Sequence, residues 1–301
     1  MNAVDHNNVV IFDDRGIPSI MCRFVRPKDT EEVPAVFKIG DKVADAIYIS
    51  KYPNIVIDGR AYSMPMADPT VNITFDEAVQ ACRCKGLGWH LMTAVEYEYL
   101  LNQSREKGTM PHGNTDWGKD YYHNEEQGKV SNLGRTYTGT GPVTWNHDHT
   151  PYGVSDLNGN VWEWLAGLRI KDGVIEFIPG NKAASPYCDL SKDSTEWQQA
   201  ETSKGPVRAN VECGEITITD AVAADDYEPN YDGVRIEELE VKLSEIPQVL
   251  KDLGIIPDKR AEEEGKTYVY FDATEGEYLP FRGSAFLFTS ISGPSALNLN
   301  N

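Results

Sequence analysis

Basic residues are scarce in this chain. Its 28 Lys and Arg stand against 47 Asp and Glu, a formal net charge of −19. So acidic a protein repels a phosphate backbone, which argues against nucleic acid as a partner and against charge-driven adhesion to an anionic membrane. No apolar run is long enough to cross a bilayer, so membrane insertion is not expected. No secretory leader is expected either, because Val9–Phe12 is short and runs directly into Asp13 and Asp14. The protein then either stays inside the cell, or leaves it by lysis or as part of a particle. Cysteine is also sparse: Cys22, Cys82, Cys84, Cys188 and Cys213 are odd in number and irregularly spaced. They make neither a disulfide framework nor a zinc site, and read as buried free thiols. No phosphate-cradling glycine loop, serine elbow or paired-carboxylate catalytic arrangement stands out. His147-Asp148-His149 has ligand-like spacing, but a lone pair of this kind in an acidic loop reads as solvated loop.

What is present is enough for a sizeable core: 301 residues, 40% hydrophobic and 10% aromatic. Plentiful Gly and Pro and little long helical periodicity point to a loop-rich α+β chain. Two β-rich runs, Val9–Phe12 and Ile20–Phe24, flank Asp13–Gly16 and Pro18, which is hairpin chemistry. Further runs follow at Val36-Phe37 and Ala46–Ile49. These suggest an N-terminal β module over 1–45 and a main domain over 46–301. Thr74 with Glu77, and Thr93 with Glu96, are capping boxes that start two helices; the first ends at Gly86 and the second near Ser104. Residues 105–151 form a long irregular segment, of a kind that is usually functional or held by an ion. Residues 181–232 read as an irregular insertion. Pro247 divides the apolar series Ile236 to Leu253, giving a strand or short helix and then a helix capped by Ser244 that ends before Gly254. Thr267–Phe271 is a strand, and so is Leu297–Leu299, whose leucines alternate with Asn298 and Asn300.

The stretch Tyr152–Trp164 fits no simple element. Asp156, Asn158 and Asn160 alternate with Gly153 and Gly159, which is turn chemistry. Val161, Trp162 and Trp164 then begin a β-type run with Glu163 between two indoles. A carboxylate there either faces solvent or meets a buried partner or an ion.

Gly153, Asp156, Gly159-Asn160-Val161 and Trp162-Glu163-Trp164 resemble the signature of the formylglycine-generating-enzyme (sulfatase-modifying-factor) superfamily. That resemblance implies a C-type-lectin-like fold. His90–Leu100 is similar to the superfamily's second helix, with Tyr97 where a Trp is usual. Catalytic members carry paired, copper-binding cysteines after an Arg-Gly-Gly-Ser segment. Here Phe281-Arg282-Gly283-Ser284 is followed by Ala285 to Ser295, and no cysteine follows Cys213. Without a thiolate there is no soft ligand for copper and no redox centre, so no copper and no oxidase activity are expected.

The C-terminus is similar instead to the variable proteins of diversity-generating retroelements. Arg282-Gly283, Gly293 and Ala296–Asn301 match that pattern, and the variable region spans about 282–301. The resemblance implies a hypervariable, ligand-binding surface at Ala285, Leu287, Phe288 and Ile291, with Phe286 among them and Thr289, Ser290, Ser292, Pro294 and Ser295 beside them. From the residues alone, the apolar members are core. Members of that group run on to a closing strand, so with an end at Asn301 either the chain is trimmed or the domain closes differently. The resemblance further implies a Ca²⁺ held by the side chains of Asp156 and Glu163 and the carbonyls of Gly159 and Val161. The alternative partners for Glu163 are backbone amides or Arg282. The expected role is a non-enzymatic display protein with a protein or cell-surface ligand, carried on a phage virion or surface-displayed, as a monomer or a trimer. The rival roles are the oxidase and an invariant carbohydrate-binding lectin domain.

Overall fold

A computed structural model describes residues 7–223 and 227–300. The hairpin forms as its turn residues predict: Asn7–Phe12 pairs antiparallel with Pro18–Val25. It is not a separate module, however. Pro18–Val25 pairs in turn with Ala46–Ser50, Cys22 lying opposite Ile49, so the three strands are one sheet. Cys22, Phe24, Val36 and Phe37 join the main core beside Ile47 and Ile49. The expected boundary at 45 therefore cuts through a sheet and a core. The edge strand Ala46–Ser50 needs a partner for its backbone, and the hairpin supplies it. Val36 and Phe37 lie in a 3₁₀ turn, Ala35–Phe37, and not in a strand.

Both capping boxes are made. In α1 (Phe75–Arg83) the Thr74 hydroxyl accepts from the Glu77 N–H and the Glu77 carboxylate accepts from the Thr74 N–H. Thr93 and Glu96 repeat this in α2 (Ala94–Lys107). That helix runs past Ser104 to a left-handed Gly108, and it buries Tyr97, Leu100 and Leu101 completely.

The stretch 181–232 is more regular than expected. Arg208–Glu212 and Glu215–Thr219 form an antiparallel pair inside a seven-stranded sheet with Val174–Phe177 and Leu168–Lys171. Val207, Ala209, Val211, Ile216 and Ile218 are buried in the main core. Their period-2 alternation across the Cys213-Gly214 turn is the signal of that hairpin. The last helix, α3 (Gln248–Asp252), follows Pro247 directly. Ser244 does not cap it, but instead donates to Asp220.

A second sheet orders Tyr231–Arg235, Tyr268–Asp272, Leu297–Leu299, Phe281–Arg282 and Glu163–Trp164. Leu297–Leu299 runs parallel to Tyr268–Asp272 and antiparallel to Phe281–Arg282. The last strand thus lies inside a sheet, with Leu297 and Leu299 buried. Asn301 lies outside the described residues. The result is α+β with many short strands and few helices. No helix among the described residues is long and apolar enough to cross a membrane. The five cysteines are free; Cys22 and Cys188 are buried, Cys82 and Cys84 are half-buried and Cys213 is exposed, so burial explains only part of the set.

Candidate functional site

Asn and Gly in the stretch 152–164 turn the chain and tie it to distant segments. Asp156, Gly159 and Asn160 are all left-handed (φ 63, 71 and 61). Gly159 N–H donates to Gly283 O at 2.6 Å, and Asn160 N–H to Asn114 O at 2.7 Å. A Cβ on Gly159 would sit 2.1 Å from Asn114 O, so no other residue fits there. The Asn160 side chain accepts from Thr136 N–H at 2.8 Å and from Asn114 Nδ2 at 3.2 Å, and donates to Thr136 O at 3.2 Å. An Asn that both donates and accepts is what such a junction requires.

Glu163 and Trp164 form the short strand against Phe281–Arg282, with Glu163 opposite Arg282. The Arg282 guanidinium nevertheless turns away from Glu163. It donates to the carbonyls of Leu253 (3.0 Å) and Gly254 (2.8 Å), reaches Glu98 at 3.4 Å, and stacks over Tyr97. No hydrogen bond to the Glu163 carboxylate is made among the described residues. Burial pushes its pKa up to about 8, and the Asp156 charge adds to that shift. Burial likewise pushes Asp156 up to about 6, against one Gly139 N–H bond and the more distant Lys51. Two carboxyls in each other's field thus lack a bonded cation. No group of three or more His, Cys, Asp or Glu among the described residues is gathered for a metal ion. A hard cation here would draw its remaining oxygens from carbonyls. Those of Gly159 and Val161 accept no loop hydrogen bond among the described residues. The donor set suits calcium, an oxygen-seeking ion, and offers no soft ligand.

His147-Asp148-His149 is not solvated loop. His147 is fully buried, and its Nδ1 accepts from Val154 N–H at 2.9 Å. Asp148 accepts from Thr150 N–H at 3.0 Å, and His149 Nε2 bonds Met110 O at 3.1 Å. The trio builds a turn.

The segment after Arg282 is held chiefly by its backbone. Phe286 N–H donates to Asn160 O at 3.2 Å, Trp117 N–H to Phe286 O at 2.9 Å and Thr289 N–H to Thr115 O at 2.9 Å. Gly293 is packed so closely that a Cβ would lie 2.1 Å from Thr267 Oγ1. Above this frame Leu287 is 48% exposed, while Phe286, Phe288, Thr289, Ser290, Ile291 and Ser292 are half-buried. Ala285, Pro294 and Ser295 are buried, so they lie beneath any contact surface and not on it. Ser295 Oγ bonds the buried Glu264 carboxylate, which Arg105 also holds. The apolar cluster is thus neither wholly core nor wholly exposed.

The structure adds Trp117 and Tyr122, which the sequence pattern did not single out, and gives Phe288 a ring partner in Trp162. Trp117, 59% exposed, packs edge-on against Phe286, and Phe288 packs edge-on against Trp162. The Tyr122 hydroxyl donates to Ser290 O at 3.0 Å. Their sequence signal was the irregular stretch 105–151 itself, with large aromatics in a polar, Gly-rich setting.

The sulfatase-modifying factor enzyme 1-like domain family matches residues 51–207. The chain is also similar to the formylglycine-generating enzyme of Mus musculus, 36% identical over 105 residues. That alignment covers 33% of this chain and 27% of the mouse protein.

Proposed function

Because this chain belongs to the sulfatase-modifying factor enzyme 1-like domain family, we propose that it is a non-enzymatic display protein. A C-type-lectin-like scaffold would present residues 286–292, with Trp117 and Tyr122 beside them, as a diversified surface. The ligand is a protein or another cell-surface group, and the setting is that of a retroelement-diversified phage or surface protein. One observation carries this reading. The segment is anchored by main-chain hydrogen bonds through Phe286 and Thr289, and such bonds survive a change of side chain. A rigid backbone under variable side chains is what a diversified binding loop needs. Leu287, Phe288 and Ile291 supply the aliphatic and aromatic anchors common at binding hot spots.

Asp156 and Glu163 are the side chains that would hold a calcium ion, with the carbonyls of Gly159 and Val161. The ion would neutralise the buried Asp156 carboxyl and the half-buried Glu163 carboxyl and stiffen the loop beneath the surface.

The experiment is a library randomised at Leu287, Ser290 and Ile291 in the full chain, screened for folding and then selected on an arbitrary protein target. Most members should keep a cooperative melt within a few degrees of the parent, and binders should emerge. Randomising Leu297 and Leu299 should unfold most members. If the loop library unfolds as readily as that control, the segment is core and the reading is lost.

A further inference from the structure

A cavity of about 290 Å³ opens beside the same segment, and Ser292, Pro294, His112, His123, Asn158 and Glu263 are among the residues that line it. Its free polar groups are acceptors. His112 and His123 stack with ring centroids 3.7 Å apart and planes 6° from parallel. Nδ1 of His112 lies 3.0 Å from Glu126 Oε2, and Nδ1 of His123 lies 3.1 Å from Asp120 Oδ1. An ionised carboxylate can only accept, so each Nδ1 carries the proton, and each Nε2 of a neutral ring presents a lone pair. Among the described residues nothing donates to either Nε2.

Asn158 is 7% exposed. Its Nδ2 donates to Pro111 O at 3.1 Å, which sets the amide orientation, and its Oδ1 has no donor. Glu264 is satisfied by Arg105 and Ser295. Glu263 is exposed and has no bonded partner among the described residues. Lys266 lies over the Tyr122 ring at 5.5 Å, and the Arg260 guanidinium lies in the field of Glu264.

We propose that this cavity binds a guanidinium group, presented as an arginine side chain by the partner of the adjoining surface. Guanidinium is donor-only, planar and always charged, so it complements three unpaired acceptors and a carboxylate. The net charge of −19 favours its approach. A metal ion is the poorer occupant, since no cluster of three ligating side chains is gathered among the described residues. The identity of the partner rests on the display reading, but the chemistry of the cavity does not.

The probe is Nα-acetyl-arginine methylamide, titrated into the full chain while the imidazole resonances of His112 and His123 are followed by NMR. The citrulline analogue serves as the uncharged control. Saturable shifts at both rings are expected, with citrulline at least about tenfold weaker, as loss of a charged hydrogen-bonding group implies. Glu263→Gln should weaken the arginine probe about threefold, the size of an exposed charge pair. His123→Phe keeps a stacked ring but removes an acceptor, and should weaken it about tenfold. Absence of saturable shifts, equal binding of citrulline, or a response to zinc chloride but not to arginine would each overturn the proposal. The loop library tests the display reading separately, so failure of one leaves the other standing.

Discussion

Trp117 and Phe286 are joined twice. Their rings meet edge to face at 5.0 Å and 77°, and the Trp117 N–H donates to the Phe286 carbonyl at 2.9 Å. The ring contact depends on side-chain identity and the backbone bond does not. Phe286 also packs over Gly134, where a Cβ would meet the Trp117 ring at 2.5 Å and the Phe286 ring at 2.9 Å. Phe286→Ala should therefore cost about 1–2 kcal/mol, less than a fully buried phenylalanine because the ring is half-buried. Leu287→Ala, next to it, should change stability by no more than about 0.5 kcal/mol. Urea unfolding of both variants checks this, and equal costs would mean that Leu287 is packed and not presented.

Arg282 is the buried cation on which the base of the segment depends. It is 1% exposed, and it satisfies the carbonyls of Leu253 and Gly254 at the end of α3 as well as Glu98. Arg282→Ala leaves Glu98 with Arg105 alone and orphans two buried carbonyls. The expected loss is about 3–5 kcal/mol, as for other broken buried ion pairs. Arg282→Lys should recover little, because an ammonium cannot reproduce the forked geometry. A lysine variant as stable as the parent in urea would show that the charge alone matters.

These contacts mark the limit of what the sequence makes legible. The capping boxes at Thr74/Glu77 and Thr93/Glu96 were readable because their partners are three residues apart. The alternation of Leu297 and Leu299 was readable for the same local reason. The join between the hairpin and Ala46–Ser50 depends on a backbone edge that carries no side-chain signal. The link from Trp117 to Phe286 spans more than half the chain. Arg282 was a fair sequence candidate for Glu163, and register does place them opposite each other. Only the surroundings of Glu98 and the end of α3 decide where the guanidinium turns.

The rival oxidase reading makes a plain prediction. The described residues after Arg282 include no thiol, and the five cysteines are scattered elsewhere. Incubation with copper and a cysteine-containing peptide under oxygen should yield no aldehyde by mass spectrometry. Formation of the aldehyde, and its loss in a Cys213→Ser variant, would restore an enzymatic role.

Burial raises the Glu163 carboxyl to about 8 and Asp156 to about 6, above the ordinary carboxylate range of the unfolded chain. The folded state therefore holds protons that the unfolded state releases between about pH 4 and those values. Without a cation, stability present at low pH should decline as pH rises through about 6 and then about 8, and level off above that. A bound calcium ion would take the place of those protons. One millimolar calcium should thus raise Tm at pH 8 by several degrees, and by much less at pH 5, where protons already occupy the site. Glu163→Gln should be more stable than the parent at pH 8 without calcium, and should no longer respond to it. Scanning calorimetry at the two pH values, with and without calcium, gives the answer. If the parent responds equally to calcium at both pH values, or the Gln variant keeps the response, then calcium acts somewhere other than this carboxylate pair.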